Sequence, residues 1–206
     1  MTARNLLRMA LGQLAGDPAQ RESVARRSYA HPNGFDRISL YSESGGMEVR
    51  VHLWWTGIVS DETIHNHAWD FSSLVLCGSL RFQLLQDVPG GDPYDRYDST
   101  MPPGGVPGDY GFELTGHASL EVAVDAEVPA GSFYRMHRDT YHRVLAAREG
   151  APMTATIVVR GPVRRSFSHV LVPAGTPIPR TRSMKRLEGD EIMEKLGLLL
   201  GLLGGP

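Results

Sequence analysis

A chain of 206 residues, 41% of them hydrophobic, can bury a sizeable core, and one domain with terminal helices is expected. The formal net charge of -2, from 21 basic and 23 acidic side chains, gives no electrostatic footprint for nucleic acid or an anionic membrane, so a small molecule is the expected partner. The single cysteine, Cys77, excludes an internal disulfide, and no stretch of about 18 apolar residues predicts export or membrane spanning; a cytoplasmic protein is expected.

Leu6, Leu7, Met9, Ala10, Leu11 and Leu14 form an apolar stripe that predicts a helix over 3–15, and Asp17-Pro18 opens a second, short helix through about Arg27. His31-Pro32-Asn33-Gly34-Phe35 has turn chemistry, and Arg37 to Tyr41 then alternates as a strand. Glu48 to Trp55 alternates cleanly, with Val49, Val51 and Leu53 on one face and Arg50, His52 and Trp54 on the other. The pattern leaves open which face meets the interior. If the polar face does, those three side chains form the floor and wall of a substrate pocket.

Next comes the stretch around which the chain is organised. In an extended segment His65 and His67 point the same way, which places two imidazoles close enough to share one ion. Asp70 adds a carboxylate only if a bulge turns it to that side. Phe71 to Cys77 is a β-rich apolar run closed by Gly78. Leu80, Phe82 and Leu84 predict a further strand, while 87–111, rich in Gly, Pro, Asp and Tyr, reads as a long mobile loop with a lid over the site as the alternative. His117 lies in turn-like surroundings that favour the surface, and Leu120, Val122 and Val124 alternate as a strand.

From Gly131 to Val144 the order is strand, turn over His137 to Thr140, and strand carrying His142. Here the third ligand for the two-histidine grip is on offer, His137 reading as a turn residue that supports a metal-bound imidazole from behind, with a further metal ligand as the alternative. Thr154 to Arg160 is the next strand, with small residues beneath Arg160 that leave room for a carboxylate; the alternative is a charged strand end. Ser166 to Val172 is the last strand, where His169 reads as structural. Leu187, Ile192, Met193, Leu196, Leu199, Leu200 and Leu203 place a C-terminal helix within 184–203 that covers the body of the protein or mediates a homodimer.

The spacings His67, Phe71, Gly78 and Gly131, His137, Asp139, His142 resemble the paired motifs of the cupin superfamily, small double-stranded β-helix (jelly-roll) barrels. The resemblance implies a mainly β fold with an N-terminal helical segment over 1–30, a barrel over 31–180 and a C-terminal helix over 181–206. It implies His65, His67 and His142 as metal ligands. Phe71 stands where most cupins carry a ligand Glu, and His137 and Asp139 replace the usual turn Pro and Gly. A site without the Glu is similar to that of the three-histidine thiol dioxygenases, which Tyr134 and His142-Arg143-Val144 also resemble, although Arg160 ends a strand with no counterpart of their metal-proximal tyrosine.

Three neutral imidazoles with open positions suit Fe(II), Zn(II), Ni(II), Mn(II) or Cu(II). The expected function is a mononuclear iron oxygenase or oxidase, a dioxygenase-like oxidoreductase for a small polar, amino-acid-like substrate whose carboxylate is anchored by Arg50 or Arg160. The alternatives are a non-catalytic ligand-binding cupin and an isomerase or lyase using a redox-inert metal.

Overall fold

The computed structural model describes residues 2–44, 46–57, 63–100, 109–145 and 153–204. Helices α1 (Ala3–Gly16) and α2 (Pro18–Ala25) come first, followed by β1 (Tyr29–His31), β2 (Phe35–Ser42), β3 (Glu48–Trp55), β4 (Ile64–His65), β5 (Phe71–Cys77) and β6 (Ser79–Thr100). The chain continues through β7 (Asp109–Pro129), β8 (Phe133–Met136), β9 (Tyr141–Leu145), β10 (Met153–Arg160), β11 (Phe167–Pro173), β12 (Thr181–Ser183) and β13 (Lys185–Arg186) to α3 (Gly189–Leu202). Two antiparallel sheets, ordered β13-β1-β2-β3-β10-β5-β8 and β11-β4-β9-β6-β7-β12, pack face to face around a shared interior.

Alternation in β3 decides which residues reach the interior. Val51 and Leu53 turn outward and are buried under the helices with Leu7, Leu14, Ile192, Leu196 and Leu199, while Trp54 joins Phe71, Val75, Leu80, Phe82 and Val144 between the sheets. The polar face of β3 is therefore the interior face, and Arg50, His52 and Trp54 all line the central cavity. Each helix start has a local cause. Asp17 accepts hydrogen bonds from the amides of Ala19 and Gln20 with Pro18 in the first turn, and Glu188 and Glu191 form a capping box for α3. That box starts α3 later than the sequence stripe does, because Lys185 and Arg186 pair with Ala30 and Tyr29 as β13. No helix among the described residues is long and apolar enough to cross a membrane.

The expectation of a loop over 87–111 is corrected. β6 continues to Thr100 and β7 resumes at Asp109; residues 101–108 lie outside the described residues, and with them the question of a lid. Tyr94 to Thr100 pairs with β7 on one side and β11 on the other. A register break between Asp87 and Asp92, with Gly90 at φ 85°, interrupts the period-2 pattern that would have revealed the strand. His117, expected in a turn, stands on β7 opposite Asp95 with its side chain 76% exposed and its Nδ1 2.9 Å from the Asp95 carboxylate.

Gly78 closes β5 at φ 70°, and a Cβ there would press on Thr154 Oγ1 and the Met153 carbonyl oxygen (2.7 Å). Gly78→Ala is expected to lower folding stability by about 2 kcal/mol or more, read by urea unfolding. A cost near zero would show that the turn relaxes.

Candidate metal centre

β4 is two residues long, and its ladder sets His65 directly opposite His142 on β9. His67 follows on an extended strap whose amide donates to the Arg138 carbonyl (3.0 Å) and whose carbonyl accepts from Arg165 Nη2 (2.8 Å). Strand, strap and turn thus bring three imidazoles to one wall. Ring centres are 4.5 Å apart for His65 and His142, and 5.0 Å for each of the other two pairs. One ligand nitrogen from each of the three lies within 4.8 Å of the others.

The donor chemistry fits a divalent metal. His65 Nδ1 donates to the Thr63 carbonyl (2.9 Å) and His142 Nδ1 to the Thr140 carbonyl (3.0 Å); a carbonyl only accepts, so each proton is on Nδ1 and each Nε2 keeps its lone pair. Burial lowers the pKa of all three histidines, that of His142 to about 3, so the rings are neutral, as ligands must be. His67 stacks on Trp69 (5.4 Å between centres, 20° between planes) and meets Phe71 edge-on (5.1 Å). Phe71 packs beside His67 and His142, and no acidic side chain joins the three histidines among the described residues.

Asp70 and His137 are not part of this group. Asp70 does not line the cavity, and its Oδ1 accepts the Arg138 amide (2.8 Å), which with His137 and Arg138 nearby holds its carboxyl below the usual range. His137 sits on the turn, its side chain 58% exposed, between Asp70 and Asp139. Both tie the second-motif turn to the strap that carries His67.

Arg50 and Arg160 meet at Glu48, which sequence reasoning missed. Register does this: Arg160 pairs with Glu48 across β10 and β3, and Ser39 pairs with Arg50 across β2 and β3. Glu48 is 2% exposed, its Oε1 accepting from Arg37 (2.5 Å) and Ser39 (2.7 Å) and its Oε2 from Arg50 and Arg160 (2.7 Å each). Those arginines hold the Glu48 carboxyl far below its usual range despite burial, while burial and Arg37 push Arg50 down to about 10. The carboxylate that Arg160 meets is therefore Glu48. Both Arg50 and Arg160 also lie over Trp69, at 5.0 and 5.1 Å from its centre.

The three histidines and Arg50 line one cavity of about 150 Å³, walled by Phe35, Trp54, Phe71, Phe82 and Tyr134. Tyr29, His31 and Tyr110 line it too, although only turn chemistry marked His31 in the sequence. The hydroxyls of Tyr29 and Tyr110 are 3.0 Å apart.

The buried histidines set a pH limit. His31, His52, His65, His67 and His142 all have folded-state pKa values below the ordinary 6.5, so below that pH the unfolded chain binds more protons than the folded one. Their contribution is complete above about pH 6.5 and is lost as pH falls towards the folded values, at about 1.4 kcal/mol per pH unit for each. Metal-free protein should be at least about 2 kcal/mol less stable to urea at pH 5.5 than at pH 7.5. Equal stabilities would contradict neutral burial.

No family model and no curated protein matches the chain. Among solved structures it is similar to an RmlC-like cupin family protein with a double-stranded β-helix fold from Methanocaldococcus jannaschii, at 7% identity over 63% of this chain and 80% of that one, TM-score 0.36. It is also similar to hydroxypropylphosphonic acid epoxidase from S. wedmorenis (14% identity, 65% of this chain, TM-score 0.39), of which it spans about half, 53%. Oxalate oxidase matches at 16% identity over 86% of this chain and 76% of that one, TM-score 0.41.

Proposed function

We propose that this cupin-fold barrel is a mononuclear non-haem iron oxygenase or oxidase acting on a small polar substrate that carries a carboxylate. The observation that carries the reading is the convergence of His65, His67 and His142 on one cavity wall, with no acidic side chain joining them among the described residues. Iron(II) held by these three neutral imidazoles would supply activation of dioxygen. The chain's own residues do the rest. The Thr63 and Thr140 carbonyls fix the ring orientations of His65 and His142, Arg50 offers a cation to the substrate carboxylate, and the aromatic wall excludes water from the reacting end.

Oxygen uptake by iron-reconstituted protein, screened against small carboxylic acids, tests this. Substrate-dependent uptake that disappears in His142→Ala is the expected result. Turnover of a substrate without oxygen would replace it with Lewis-acid chemistry, and ligand binding with no turnover by any metal form would leave a binding barrel.

A further inference from the structure

Three guanidinium groups, on Arg37, Arg50 and Arg160, share the single carboxylate of Glu48, and both of its oxygens are already taken. The four residues are between 2% and 9% exposed, so the cluster keeps a formal surplus of two positive charges in the interior. An uncompensated buried charge is costly, and the lowest-cost remedy is an anion beside it. Two of these arginines, Arg37 and Arg50, line the cavity, as does Arg182, and no Asp or Glu does so among the described residues. Arg37 Nε, Arg50 Nε, His52 Nε2 and Trp54 Nε1 are buried without a hydrogen-bond partner in the same wall.

Size and shape limit the rest of the ligand. At about 150 Å³ the cavity has room for a body the size of benzene beside its polar wall. Trp69 stacks on His67 at one end and under Arg50 at the other, so one ring system separates the anion site from the imidazole triad. Phe35, Trp54, Phe82 and Tyr134 offer faces and edges to a flat apolar body.

Resting on the reading of this cavity as the substrate site, we propose that its ligand is a compact monocarboxylic acid with an uncharged, ring-sized body, bound as an anion to Arg50 and Arg37, and that zwitterionic amino acids are excluded. An ammonium group would enter a wall that already carries surplus positive charge and offers no carboxylate. This narrows the amino-acid-like substrate expected from sequence to one without the amino group.

The test is titration of metal-free protein by calorimetry with benzoate, benzyl alcohol and phenylalanine. Benzoate should bind at least about tenfold more tightly than benzyl alcohol, and phenylalanine about a hundredfold more weakly than benzoate. Arg50→Met should lose the preference for benzoate over benzyl alcohol, and Arg50→Lys should keep part of it. Phenylalanine binding as tightly as benzoate, no benzoate binding at millimolar concentration, or an unchanged preference in folded Arg50→Met would each overturn the proposal. If Arg50→Met fails to fold, the three wild-type titrations still decide. Metal content, measured on the same preparation, reports separately on the iron reading.

Discussion

Replacing Glu48 with Leu should destabilise the fold by about 3–5 kcal/mol, among the largest single-residue losses this chain can show. The substitution leaves the guanidinium groups of Arg37, Arg50 and Arg160 buried without their carboxylate and Ser39 Oγ without its acceptor. The three cations then repel one another in an interior that screens them poorly. The site fails along with the stability, because Trp69, held by two of these arginines, is the surface on which His67 stacks. Urea unfolding of wild type and Glu48→Leu measures the loss, with Glu48→Gln as the variant that keeps shape and removes charge. A loss below about 1 kcal/mol in both would mean that the cluster opens to water and that its surplus charge is not buried.

His142→Ala is expected to weaken divalent-metal binding by at least about a hundredfold, since removal of a group that merely supports a ligand already costs 10–100-fold. His142 faces His65 across one rung of the β4–β9 ladder and is 3% exposed, and His65, His67 and His142 are the one such ligand group among the described residues. Titration with Co(II) followed by visible absorption reads the affinity, and urea unfolding of the metal-free variant separates ligand loss from fold loss. Undiminished affinity in His142→Ala would remove it from the ligand set. Changes at Asp70 or His137, which lie outside the triad, should leave the affinity within about tenfold of wild type.

These two residues also mark what was legible in the sequence. His65 and His67 can be paired from the period-2 alternation of an extended segment, whereas His142 was reached through the resemblance of the stretch from Gly131 to His142 to a cupin motif. Gly78 announced its turn by the same local logic. The polar face of β3 was visible as a pattern, but its direction was not; the helices α1 and α3 decide it by covering Val51 and Leu53. Glu48 was invisible as a hub, since the groups it joins come from Arg37, Ser39, Arg50 and Arg160 and meet only through the register of β2, β3 and β10. The second part of β6, 87–100, was misread as a loop because its Gly, Pro and Asp content reflects a register break and exposed positions, whereas its pairing partners on β7 and β11 are far along the chain. Periodicity reports which residues share a face. It does not report what that face meets.

The most direct test of the central claim is the metal content of protein purified without chelators. Iron approaching one atom per chain in wild type, and near background in His142→Ala, is the predicted result. Wild-type protein that holds no metal and takes up none on exposure to Fe(II), Zn(II), Ni(II) or Mn(II) would contradict a metal centre at His65, His67 and His142, and stoichiometric zinc would keep the centre but contradict its role in oxygen chemistry.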